Sequence, residues 1–148
     1  MVIEEIQNKI HTQIPMTKLM QLELKSIDNT TLITTAPLNI NVNDKGTAFG
    51  GSLSSIAIIS SWCMAYYLSK KLNIGESNIV IVNNETKFLR PVTKDIICTT
   101  FIPKKEEIKI LESKLEIKNS GTIKIYAQII ENEEICVDFR GTYYIKKV

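Results

Sequence analysis

Histidine is almost absent from this chain of 148 residues: His11 is the only one. Multi-histidine metal sites are thereby excluded, and a Ser/His/Asp triad is left with a single candidate. Arginine is nearly as scarce. Only Arg90 and Arg140 stand among the 18 basic side chains, which 16 acidic ones balance to a net charge of +2. The lysines are scattered, with no basic stripe and no interleaved aromatics, so nucleic acid is not an expected partner. Cys63, Cys98 and Cys136 are odd in number, widely spaced and set among apolar residues. They read as reduced core thiols of an intracellular, cytoplasmic protein, not as a disulfide frame or a metal site. The first residues offer neither the basic leader nor the apolar run of a signal peptide. No Pro/Gly/Ser-rich linker or repeat divides the chain, so a single domain over 1–148 is expected, with 1–15 as an N-terminal amphipathic extension.

Charge is also missing locally. From Gly46 to Ser69 there is no charged residue, in a sequence that is 23% charged. Ser52, Ser54, Ser55, Ser60 and Ser61 interrupt this run, and its apolar part is only about 17 residues long, the short limit for crossing a bilayer. It is therefore read as a core helix, apolar on every side, over about Gly51 to Leu72, with Asn73 and Gly75 as stop signals. No membrane partner is expected. The run opens with Gly46-Thr47-Ala48-Phe49-Gly50-Gly51-Ser52-Leu53. A Gly-Gly step lets backbone pass where no side chain fits, and the following helix aims free N–H groups and its positive dipole end at that step. Such a corner holds an anion or polarises a carbonyl oxygen.

Around this helix the chain reads mainly as strands. Ile3, Ile6 and Ile10 mark a short helix from Ile3 to about Gln13, ended by Pro15. Leu19–Ile27 and Thr30–Ala36 flank Asp28-Asn29 as a hairpin, and Leu38–Lys45 is an Asn-rich loop. Strands are expected over Ile79–Arg90, Asp95–Ile102, Ile108–Lys118, Thr122–Ile130 and Ile135–Lys146. Ile123, Ile125, Ala127 and Ile129 alternate with Lys124, Tyr126 and Gln128, the pattern of an antiparallel sheet with one wet face. A helix apolar all round needs covering on most sides, which one flat sheet does not provide. The expected architecture is α+β: a strongly curved antiparallel sheet of about six strands wrapped around one long central helix, plus the short N-terminal helix. This arrangement is the hotdog fold.

Asn43 to Leu53 resembles the loop-to-helix motif of hotdog thioesterases, and Phe88-Leu89-Arg90-Pro91-Val92 resembles the end of the strand that follows their helix. With Pro37 and Asn41, these motifs look most like the thioesterase-like domains similar to the C-terminal domain of bacterial YiiD proteins. The resemblance covers about Ile14 to the C-terminus. It implies a homodimer joined sheet edge to sheet edge, or a tetramer built from it, with active sites at the dimer interface. It further implies an acyl thioester of coenzyme A or acyl carrier protein as substrate, the carrier entering only as part of that substrate and no other cofactor being required. The thioester carbonyl would sit on the backbone N–H of Gly50 or Gly51, and Asn43 would place the attacking water or the thioester. Two positions depart from the pattern: Phe49 stands where many relatives carry His, and Ile58 where many carry Asp or Glu. The helix from Leu53 to Leu72 contains no acid.

The remaining candidates come from the residues themselves. Ile79-Val80-Ile81-Val82 gives way mid-strand to Asn83-Asn84-Glu85, so both faces turn polar at one level. Asn83, Asn84 and Glu85 are candidates to bind or activate water, Glu85 as a carboxylate moved from helix to strand with its pKa raised by burial; the alternative is an interface hydrogen-bond ladder. Parity is open, because Phe88 puts Val80, Val82 and Asn84 on one face whereas Leu89 puts Ile79, Ile81 and Glu85 on the other. Asn43 and Asp44 are read as water- or thioester-orienting groups or as loop caps. Phe49 and Ser52 would line the substrate path. Arg90, like Lys87 or Lys94, would meet a phosphate of the coenzyme arm or form a structural ion pair. The function expected is thioester hydrolysis or acyl transfer; the alternative is a domain that binds acyl thioesters without turning them over.

Overall fold

A computed structural model describes all 148 residues. The chain begins with α1 (Val2–Gln13) and a single turn, α2 (Met16–Leu19). The hairpin β1 (Glu23–Ile27) and β2 (Thr31–Ala36) follows, turned by Asp28, whose carboxylate accepts the N–H groups of Thr30 and Thr31 at 2.8 and 2.9 Å. Next come the long helix α3 (Gly50–Lys71), β3 (Ser77–Phe88), β4 (Ile96–Phe101), α4 (Lys105–Lys118), β5 (Ser120–Glu131) and β6 (Glu134–Lys147). The six strands form one antiparallel sheet in the order β1-β2-β4-β5-β6-β3. All strands but β1 touch α3, which lies across one face of the sheet. This is the hotdog architecture expected from the sequence.

Three sequence expectations need correction. The segment Ile108–Lys118 is helix, not strand. Ile108/Ile110 and Leu115/Ile117 mimic a period of two, but the fully buried pair is Leu111 and Leu115, four apart, while Ile110 and Ile117 are exposed. Lys, Glu and Leu favour helix here, acids occupy the first turn, and Asn119 ends it in the left-handed conformation at φ 63°. This helix packs on the same sheet face as α3: a Cβ added to Gly121, which shares its face with buried Ile123 and Ile125, would lie 3.0 Å from Leu111 Cδ1.

Second, α3 is not buried all round. Ser54, Ser55, Ile58, Trp62 and Tyr66 are half-buried and recur at helical spacing, so one stripe faces outward. The opposite side is tied into the sheet, with Thr34 Oγ1 and Ser60 Oγ 2.6 Å apart and the Tyr143 hydroxyl donating to the Ile58 carbonyl at 2.6 Å. Ser60 and Ser61 are thus core residues.

Third, both faces of β3 do turn polar at Asn83-Asn84-Glu85, but neither expected parity holds. The register against β6 slips at Val82, between Ile81 opposite Tyr143 and Asn83 opposite Thr142. One extra residue at a β-bulge exchanges the faces. Ile79 and Ile81 therefore point to the helix side before the bulge, and Asn84, Thr86 and Phe88 after it, opposite Gly141, buried Phe139 and buried Val137. Hydrogen bonding agrees, since Thr86 Oγ1 donates to Asn84 Oδ1 at 2.7 Å while Lys87 pairs with Glu85 at 3.7 Å on the other face.

The two ends of the sheet differ. At β1, helix α1 lies against the strand, burying Ile6 and Ile10, and its polar side chains bond the strand's outer edge. Gln7 Oε1 accepts the Leu24 N–H at 2.6 Å, and His11 Nε2–H donates to the Leu22 carbonyl at 2.8 Å. The lone histidine is thus an edge clasp. At the other end β3 bonds only β6, and Val80 and Val82 are exposed along it. Replacing Gln7 by alanine removes one bond from the covered edge and should cost about 1 kcal/mol, read as a lower urea midpoint with unchanged slope.

Candidate active site

The loop before α3 is built by Asn43. Its side-chain oxygen accepts the Lys45 and Thr47 N–H groups at 2.7 and 3.2 Å, and its Nδ2 donates to Thr47 Oγ1 at 2.8 Å. Gly46, at φ +82°, makes the left-handed step that closes this turn. Two further bonds pin the loop: Ala48 N–H to the Val92 carbonyl at 2.8 Å, and Phe49 N–H to the Asn41 carbonyl at 2.7 Å. Asn41 is itself buried and held by Met20 and Pro37 carbonyls. The Asn43 amide is therefore occupied as a loop brace.

This brace presents an uncapped helix end. No side chain caps α3, and its first bond is Leu53 N–H to the Phe49 carbonyl at 3.0 Å. The amides of Gly50, Gly51 and Ser52 are left without protein partners, the unpaired donors of a helix N-terminus. Gly50, the first of them, lines a cleft of about 370 Å³ whose far wall is the end of β3 and its extension, Phe88 to Val92. Gly50 lies beside Phe88, where an added Cβ would be 3.9 Å from the ring. Phe49, half exposed, lays its ring over Gly51: a Cβ there would come within 2.7 Å of Phe49 Cζ. Arrayed in this way, the amides offer a hydrogen-bonding corner with a positive dipole and apolar walls, fit for a carbonyl oxygen.

The other sequence candidates scatter around it. Asn84 is on the helix side of β3, two residues from Thr86 and four from Phe88. Asn83 and Glu85 are on the opposite face; the Glu85 side chain is 62% exposed, so the burial expected of it is not there. Asp44 is exposed on the loop and pairs with Lys45 at 3.2 Å. Ser52 is half-buried in the first turn. Arg90 lines the cleft, but its Nε donates to Glu134 at 2.7 Å. Cysteine chemistry is not at hand, because burial pushes the Cys63 thiol up to about 12 and Cys98 up to about 11, keeping both neutral. Sequence reasoning overlooked the wall residues Phe88 and Leu89 as site components. Their position follows from the bulge at Val82, which leaves no mark in the hydrophobic pattern.

The family described as "Putative thioesterase (yiiD_Cterm)" matches residues 3–147. The chain belongs to this family. Among solved structures, a protein of unknown function from Chlorobaculum tepidum TLS is 35% identical, with a TM-score of 0.93 over 99% of this chain and 95% of its own. A "putative thioesterase" from Shewanella oneidensis is 25% identical, with a TM-score of 0.87 over 97% of this chain and 96% of its own. A mutant thioesterase from Pseudomonas aeruginosa, at 14% identity, shares the fold with a TM-score of 0.73 over 99% and 94%. Thioesterase-type function is what these likenesses support.

Proposed function

We propose that the chain hydrolyses acyl thioesters of coenzyme A or acyl carrier protein as a homodimer joined through β3. The observation that carries this reading is the trio of unpaired amides at Gly50, Gly51 and Ser52, the first of which lines an apolar-walled cleft. The thioester oxygen accepts from the Gly50 or Gly51 N–H. Water adds to the carbonyl carbon, the carbonyl electron pair moves onto oxygen, and collapse of the adduct expels the thiolate, which recovers a proton to leave acid and thiol. Amide stabilisation of the oxyanion contributes roughly 3 kcal/mol.

Asn84 is favoured over Glu85 for orienting water, because it shares its face of β3 with Phe88, whose ring lies beside Gly50. Pairing two β3 edges extends the sheet without exchanging its faces, so Glu85 remains on the far side in the dimer too. The dimer itself is supported by the bare 12-residue edge of β3 and by the half-exposed stripe of α3 beside it. Arg90, at the cleft rim, is placed to meet a phosphate of the coenzyme arm after releasing Glu134.

One observation favours the second reading, a binder without turnover: the cleft wall carries no acid and no histidine, Arg90 being its one charged side chain. A hydrolysis assay over acyl-CoA and acyl-carrier substrates, run beside calorimetry, separates the two. The expected result is turnover that Asn84→Ala lowers about tenfold, the worth of one hydrogen bond to the reacting water, while Glu85→Gln stays within about twofold. Binding without turnover would replace hydrolysis with the second reading, and a dominant Glu85→Gln effect would overturn the assignment of water to Asn84.

A further inference from the structure

The largest cleft in the molecule, about 790 Å³, is not at the glycine corner but at the other end of α3. It lies between the β1–β2 turn, the last turn of α3, the end of β4 and the start of α4. From Gly51 to Leu68, α3 runs about 25 Å at its 1.5 Å rise per residue. This site is therefore separate from the proposed thioester cleft, and it lies by β1, β2 and β4, away from the β3 edge.

Its chemistry has two parts. The floor is apolar, made by Leu68, Leu72, Ile102 and Ile108. The rim carries three cations, Lys71, Lys104 and Lys105, against one carboxylate, Asp28. Asp28 is already engaged by Thr30 and Thr31, and these hydrogen bonds hold its pKa below the usual carboxylate range, so it stays a local anion in its own turn. Glu107 lines a neighbouring groove with Lys104, Phe101 and Tyr126 and forms no ion pair with the rim lysines. The lysine side has a further pull on anions. Helix α4 has no side-chain cap, and its first bond is Ile108 N–H to the Lys104 carbonyl at 3.1 Å, leaving the amides of residues 105–107 unpaired beside the same lysines. Apolar floor and cationic rim match an amphiphile with a compact anionic head, and the volume falls within the range of small-molecule sites.

We propose that this cleft binds a monomeric medium-chain fatty acid, with its carboxylate among Lys71, Lys104 and Lys105 and its chain on the α3–β4–α4 floor. The site needs no turnover at the glycine corner and does not rest on it. Calorimetry on the full chain with octanoate, decanoate and dodecanoate, each below its micellar concentration and at low salt, tests it. Affinity should tighten by about fourfold per added methylene until the floor is filled. Lys104→Glu combined with Lys105→Glu should weaken decanoate binding at least about tenfold, the loss expected when charge-assisted contacts are reversed. Ile108→Trp, which fills the floor, should abolish it, whereas Gly51→Val should leave it unchanged. Equal binding of decyltrimethylammonium, insensitivity to the lysine reversals, loss in Gly51→Val, or a signal confined to micelles would each overturn the proposal. The exposed lysine variants keep the test decisive if Ile108→Trp does not fold.

Discussion

Replacing Gly51 by valine is expected to lower kcat/KM for thioester hydrolysis by about 100-fold, in line with the loss of one oxyanion donor. The fold should survive, because Gly51 is exposed and has no left-handed backbone requirement. The effect arises at Phe49. Any Cβ at Gly51 meets that ring, 2.7 Å from Cζ and 3.2 Å from Cδ2, so the ring is displaced from its place over the first turn, where the unpaired amides lie. Gly50→Ala is the internal control: its nearest neighbour, the Phe88 ring, is an ordinary contact at 3.9 Å, and the loss there should stay under about tenfold. Phe49→Ala in the Gly51→Ala background should recover part of the activity, since the clash is removed with the ring. Steady-state kinetics on the four variants read this directly. Equal losses at Gly50 and Gly51, with no recovery, would place the oxyanion elsewhere.

The largest expected effect on stability is at Gly141. It sits in β6 on the helix-facing side, and a Cβ there would lie 2.8 Å from both Phe139 Cζ and Tyr143 Cε1. Both rings are fully buried, and Tyr143 is further fixed by its bond to the Ile58 carbonyl. Neither ring has room to yield without loosening that bond. Gly141→Val should cost about 3 kcal/mol by overpacking and lower Tm by roughly 10 °C in a chain of this size. Gly141 is also the partner of Asn84 across the β3–β6 ladder. Turnover of the folded fraction should therefore fall as well, and Phe139→Leu should restore stability by making room. A Tm within about 1 °C of the parent would show that the rings adapt freely.

The same neighbourhood shows what is legible in a single sequence. The long helix, the hairpin at Asp28 and the alternating strands β5 and β6 all follow from periodicity and turn chemistry, because each buries one face of a regular element. The glycine corner was legible because a Gly-Gly step at a helix start has a backbone meaning independent of the rest of the chain. Helix α4 was misread because its five isoleucines and leucines offer both periods, Ile108/Ile110 and Leu115/Ile117 two apart and Ile108, Leu111 and Leu115 at helical spacing, and only the packing of Leu111 and Leu115 decides between them. The facing of Asn84 against Glu85 was undecidable for a different reason. A bulge is a relation between two strands, so its effect appears only when β6 is laid beside β3. The half-exposed stripe of α3 was hidden by its own composition, since Ile58, Trp62 and Tyr66 look like core residues wherever they stand.

The unlike ends of the sheet set a limit on size. An assembly that grows by joining strand edges needs two open edges on every copy, as a filament does. Here α1 occupies one of them through Gln7 and His11, so each copy has a single edge to offer. Edge-to-edge growth from this chain therefore closes after one joining step, and the short N-terminal helix is what makes such an assembly finite.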